Sequence, residues 1–111
     1  KRVGLARAIV TQPEIILYDE PTSGLDPVIS RQIDLLIDDL RRKLGVTSVV
    51  VTHDLYSALY VGTRVAMLHE GQFVVCAPPE EFVASEHPVV RDFLQAQSIA
   101  DMRDVRKAFG K

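Results

Sequence analysis

Ile15-Ile16-Leu17-Tyr18-Asp19-Glu20-Pro21-Thr22-Ser23-Gly24-Leu25-Asp26 is the stretch on which the reading of this chain turns. Ile15 to Tyr18 form an uninterrupted apolar run of strand length, the pattern of a strand buried on both faces, and it stops abruptly at two acids. Pro21 to Asp26 then supply turn chemistry. Asp26 followed by Pro27 reads as a helix N-cap with proline at the first helical position. A long helix is expected from there, with Ile29, Ile33, Leu36, Ile37, Leu40 and Leu44 as its apolar stripe and Gly45 as a left-handed C-terminal cap. Asp38 with Arg42 and Asp39 with Lys43 are i,i+4 pairs, which makes that charge run a solvated face. Thr47 to Thr52, rich in β-branched residues, is a second buried strand ending at His53 and Asp54.

Outward from this strand–helix–strand unit the signals are shorter. Residues 1 to 12 have apolar residues on a helical spacing until Pro13 stops them. After His53, Leu55, Ala58 and Leu59 mark a short helix; Arg64 to His69 and Gln72 to Cys76 read as strands joined by a Glu70-Gly71 turn and paired antiparallel. Pro78 to Phe82 and Pro88 to Leu94 start two further helices. From Ile99 on, Met102, Val105 and Phe109 keep a helical spacing. The expected fold class is α/β, with a mostly parallel sheet, helices, and a C-terminal antiparallel strand pair. Residues 1–97 are expected to form the domain and 98–111 an amphipathic tail, whose stripe packs on its own domain or on a partner chain.

The composition sets outer bounds. The chain has 111 residues, 47% hydrophobic and 25% charged, which suits one folded core. Thirteen Lys and Arg against fifteen Asp and Glu give a net charge of −2, so no bulk positive field exists to hold nucleic acid. Any anion must be held locally. The single cysteine, Cys76, excludes an internal disulfide framework and fits a reducing compartment, with a cytosolic location as the default. No apolar run approaches the roughly 18 residues of a membrane span. The chain opens on Lys1 inside a helical pattern, so a fragment of a longer subunit is expected.

Strands and helices in this order place ligands beyond the carboxyl ends of the strands. Asp19 and Glu20 arrive there together, and adjacent carboxylates suit magnesium nucleotide chemistry: Mg2+ takes hard oxygen ligands, often through water, while the second acid orients or deprotonates an attacking water. An imidazole at a strand end, as at His53, can donate to a phosphate oxygen and change contacts when that phosphate leaves; without the strand pattern His53 reads as a surface or helix-start histidine. His69, beside the hairpin turn, and His87, before Pro88, are read as surface or helix-start histidines with no catalytic role. Cys76 is read as a small strand residue.

Taken together, Ile15 to Asp26 resemble the Walker B strand and following D-loop of the ATP-binding cassette (ABC) ATPases, and Thr52-His53-Asp54 resembles that family's switch histidine loop. Lys1 to Ile9 resembles the helix that follows its signature motif. The resemblance implies the C-terminal part of a P-loop NTPase core that binds ATP and Mg2+. Asp19 would serve the metal directly or through water, Glu20 would activate water, His53 would contact the γ-phosphate, and Ser23, Gly24, Leu25 and Asp26 would lie at the seam of an ATPase dimer. It further implies a second ATPase subunit and membrane permease subunits as partners, with a regulatory subunit as a further option, at the cytoplasmic face of the inner membrane.

Within the family, Gly45 to Asp54 and Pro79-Glu80-Glu81-Phe82 look like bacterial import-type ATPases. Ser85 to Leu94 is similar to the ATPase of MCE-type phospholipid-trafficking systems, and an amino-acid importer is the nearest alternative. A soluble ATPase of repair or translation would carry basic insertions that this chain lacks. A non-catalytic, truncated interaction module is the remaining rival. No G-x-x-x-x-G-K-[ST] segment and no signature motif occur in these 111 residues, so the chain alone is expected not to turn over ATP.

Overall fold

The structure, a computed structural model, describes Gly4 and residues 13–111; the helix expected over residues 1 to 12, with Arg2 and Arg7, otherwise lies outside the described residues. The chain divides into two compact units, Lys1–His53 and Asp54–Lys111.

In the first unit, β1 (Ile15–Asp19), α1 (Pro27–Leu44) and β2 (Thr47–Val51) follow one another as expected. β1 and β2 pair parallel, in register from Ile15 opposite Thr47 to Asp19 opposite Val51. The long connection that parallel strands require is supplied by α1. Asp26 caps it: its carboxylate accepts the Ile29 amide at 2.9 Å, and Pro27 fills the first position. At the other end Gly45 adopts φ 66°, and its amide donates to the Arg41 carbonyl at 3.0 Å. Arg41, Arg42 and Lys43 in the last turn face the negative end of the helix dipole. The expected Asp38–Arg42 and Asp39–Lys43 pairs form at 3.2 and 3.0 Å. Asp26→Ala should lower the unfolding free energy by about 1 kcal/mol, the usual worth of an N-cap, read as a fall in the thermal midpoint.

Two expectations are corrected here. The buried stripe of α1 is Ser30, Ile33, Asp34 and Ile37, while Ile29 and Leu44 are exposed. The helix is rotated toward Ser30 because its hydroxyl lies 3.4 Å from the carbonyls of Thr22 and Leu25 in the preceding turn, which draws that edge inward. Asp34, 1% exposed, stands 3.5 Å from Arg31. The strand pair is not covered on both faces either. Ile16 is buried, whereas Ile15, Leu17, Val49 and Val51 on the opposite face are exposed. An apolar run signals two covered faces only in a sheet with a layer on each side. Among the described residues this unit supplies a single helix to a single strand pair.

The second unit holds α2 (Leu55–Val61), β3 (Val65–His69), β4 (Gln72–Ala77), α3 (Pro79–Val83), α4 (Pro88–Ala96) and α5 (Met102–Ala108). β3 and β4 pair antiparallel through the two-residue turn Glu70-Gly71, both at positive φ (50° and 76°), the twist that a tight hairpin prefers. A register shift at Met67/Leu68 gives β4 one extra residue, Val74. Phe82, Leu59, Val90, Leu94 and Val105 are fully buried at the centre of the core. Met102 and Phe109 join them, so the stripe that the sequence offers to a tail or a partner is spent inside this unit, and residues 98–111 do not stand apart from it. Phe109 stacks on Tyr60, ring centres 3.9 Å apart. His87 caps α4, its Nδ1 accepting the Val89 amide at 3.2 Å. Cys76 is exposed on β4. Among the described residues no helix is long and apolar enough to cross a membrane.

Candidate functional site

The parallel register sets Asp19 beside Val51, so the carboxyl ends of β1 and β2 lie side by side, and both chains leave the sheet there. One further ladder bond follows, from the Glu20 amide to the Val51 carbonyl at 2.7 Å. Glu20 itself adopts φ 47°, in the left-handed region, which costs a non-glycine residue roughly 1–2 kcal/mol. That turn breaks the two-residue alternation of the strand. The Glu20 side chain is therefore not confined to the face opposite Asp19.

The turn is pinned from both sides. The Ser23 amide donates to the Glu20 carbonyl at 3.2 Å, the Leu25 amide to the Thr22 carbonyl at 3.2 Å, and Ser30 of α1 approaches the carbonyls of Thr22 and Leu25. Gly24 sits at φ 77° with open space where a Cβ would stand, so the demand for glycine there comes from the backbone alone. Ser23 and Gly24 are exposed; Asp26 closes the segment as the cap of α1.

His53 lies two residues beyond the end of β2, and its Nδ1 is 2.7 Å from Oε1 of Glu20, across 33 residues of sequence. The carboxylate only accepts, so Nδ1 carries a proton in this contact, which leaves Nε2 as the second hydrogen-bonding atom of the ring. His53 is 79% exposed and Glu20 33% exposed, so the pair is reachable by a ligand. Asp19 is exposed at the end of β1, and among the described residues its carboxylate is engaged by no hydrogen bond or ion pair. Behind it, burial pushes the phenol of Tyr18 above its ordinary range, which keeps it neutral.

The structure thus brings Glu20 and His53 into contact and sets Asp19 at the same strand end. Among the described residues no group of three or more His, Cys, Asp and Glu is gathered into an all-protein metal cage. The donor set fits Mg2+ in the manner typical of nucleotide sites, where one or two carboxylates serve together with water and phosphate oxygens. Asp54, next in sequence, does structural work: its carboxylate accepts the Tyr56 amide at 3.0 Å and the Ser57 hydroxyl at 3.2 Å, capping α2. Ser57 is consequently buried, a position no sequence pattern marks.

No family model matches the chain. Over 99 residues it is 43% identical to the probable ribonucleotide transport ATP-binding protein mkl of Mycobacterium tuberculosis, a match covering 89% of this chain and 28% of that protein. Over 110 residues it is 37% identical to the methionine import ATP-binding protein MetN of Xanthomonas campestris, covering 98% of this chain and 33% of that one. The chain thus spans about a quarter to a third of the length of the curated relatives it matches. Among solved structures it is similar to cbiO1 from Clostridium perfringens, part of the ABC transporter complex cbiONQ. The TM-score is 0.70 at 29% identity, over 96% of this chain and 40% of that one. The chain has the fold of a segment of an ABC ATPase, and by sequence it is similar over nearly its whole length to the ATP-binding subunits of ABC transporters.

Proposed function

We propose that this chain is the part of an ABC transporter ATPase that carries the water-activating carboxylate and the switch histidine, in a subunit coupling ATP binding and hydrolysis to transport. The observation that carries the proposal is the 2.7 Å contact between Glu20 and His53 at the adjoining carboxyl ends of two parallel strands. Glu20 takes the proton of the attacking water while the water oxygen bonds to the γ-phosphorus and the bond to the ADP oxygen breaks. His53 donates through Nδ1 to Glu20, which holds the carboxylate in place, and, in the form that carries a proton on Nε2 as well, donates that second N–H to a γ-phosphate oxygen. Once the phosphate leaves, that second contact is lost and the loop is released. Asp19 would hold Mg2+, directly or through water; the ion, when bound, supplies charge neutralisation on the phosphate oxygens.

Ser23, Gly24, Leu25 and Asp26 are assigned to the seam with a second ATPase subunit; the turn they form is exposed and shaped by its own hydrogen bonds. In this reading the subunit docks on membrane permease subunits at the cytoplasmic face, and a regulatory subunit is a further partner. The 111-residue chain by itself is inactive, since it contains no phosphate-binding loop and no signature motif. The proposed cargo is phospholipid, on the strength of the Ser85 to Leu94 stretch; an amino-acid importer is the second reading, favoured by the similarity to MetN.

The test is His53→Ala in the complete subunit assembled with its permease. ATP turnover should fall on the order of a hundredfold, the range lost with a positioned proton-handling group. Turnover within threefold of the unaltered complex would sink the proposal.

A further inference from the structure

We infer that Ser30 is a positioning residue for Glu20, a role that rests on the reading of Glu20 given above. Both residues belong to the first unit. Glu20 stands at φ 47°, a conformation that a glutamate keeps only where the chain around it leaves no easier choice. Both of its peptide groups are taken: its amide donates to the Val51 carbonyl at 2.7 Å, and its carbonyl accepts the Ser23 amide at 3.2 Å. The first bond ties it to the sheet and the second to the turn of residues 21–26. The hold on Glu20 is therefore only as firm as that turn.

The turn is anchored to α1. Pro21 and Thr22 are buried, whereas Ser23 and Gly24 at the tip are exposed. The Thr22 carbonyl already accepts the Leu25 amide at 3.2 Å, and the Ser30 hydroxyl stands 3.4 Å from that same carbonyl and 3.4 Å from the carbonyl of Leu25. A serine hydroxyl has one proton, so a single O–H is shared between two carbonyls three residues apart. Among the described residues no other side chain bonds to either carbonyl. Ser30 is itself firmly seated, 5% exposed on the buried stripe with Ile33 and Ile37, its amide donating to the Asp26 carbonyl at 2.9 Å.

The helix has no use of its own for a hydroxyl there. Alanine is the better helix former, a buried hydroxyl must find a partner, and the cap is already supplied by Asp26. What the hydroxyl serves is the turn. Without it the carbonyls of Thr22 and Leu25 are released from α1, the turn shifts, and the backbone of Glu20 is free to leave the left-handed region. The alternation of the strand then resumes, and the Glu20 carboxylate swings toward the face opposite Asp19, away from its 2.7 Å contact with His53. A catalytic group displaced by about an ångström forfeits much of its effect.

The test is Ser30→Ala in the complete subunit with its permease, alone and combined with Glu20→Gln. Alone, it should lower kcat per folded molecule on the order of three- to tenfold, the scale of one lost hydrogen bond, with KM for ATP within twofold. The thermal midpoint should stay within about 2 °C, because the gain in helix propensity and the relaxed backbone offset the lost bond. Added to Glu20→Gln, it should change the residual rate less than twofold, since a residue that acts through the carboxylate has nothing to position once the carboxylate is gone. Full kcat in Ser30→Ala beside an impaired Glu20→Gln overturns the inference and leaves the site standing. A further three- to tenfold loss in the double variant overturns it too, because Ser30 would then act by another route. Full turnover in Glu20→Gln itself would instead bring down the underlying assignment of Glu20.

Discussion

Glu20→Gln in the complete subunit should cut ATP turnover on the order of a thousandfold while leaving nucleotide binding within a few-fold, the pattern of a group that acts in the transition state. The amide is nearly the shape of the carboxylate and still offers an oxygen to the Nδ1 proton of His53, so the 2.7 Å contact has a substitute partner. What it loses is the capacity to take a proton. Phosphate release and nucleotide binding measured on the same preparation separate these properties. Equal loss of both would mean that Glu20 holds nucleotide and that the water is activated elsewhere. The left-handed backbone at Glu20 makes this substitution the cleaner probe, since glutamine carries the same Cβ and leaves the local geometry alone.

The second large effect is on stability. Phe82 is 0% exposed, on the short helix α3, in the core that β3, α4 and α5 also line. Truncation to alanine removes the ring and leaves a cavity that the surrounding chain fills incompletely, at a cost of about 3–5 kcal/mol. That is a large share of the stability of any small domain. Phe82→Ala should therefore abolish cooperative unfolding of the second unit or lower its denaturant midpoint steeply. A shift in midpoint equivalent to under about 1 kcal/mol would show that Val83, Val90 and Leu94 can close over the gap, and that the core is less tightly set than its burial implies.

The first unit was largely legible because its signals are local. Asp26-Pro27 and Gly45 bracket α1, and both caps form as their chemistry requires. The same holds for Glu70-Gly71, whose positive φ values make the hairpin. Glu20 and His53 were identified separately, each by its place at a strand end; their contact follows from the parallel register, which no single segment encodes. What stayed hidden was tertiary. Nothing in residues 55–56 announces that the Leu55 amide and the Tyr56 hydroxyl both bond to Gln97, and glutamine at a helix end carries no pattern of its own. The spacing of Met102, Val105 and Phe109 revealed an apolar face without saying what covers it; only the assembled unit shows that its own core does. The stripe of α1 was misplaced by about one position, since a small polar residue, Ser30, was drawn inward by carbonyls of the preceding turn.

The left-handed turn at Glu20 also bears on how this position can change over generations. Glycine would adopt φ 47° without penalty, and asparagine with less than glutamate does, so substitutions that relax the backbone there are within reach. Each of them removes the carboxylate that faces His53. In the proposed reading of the site, a more durable chain and a working one are alternatives at this one residue.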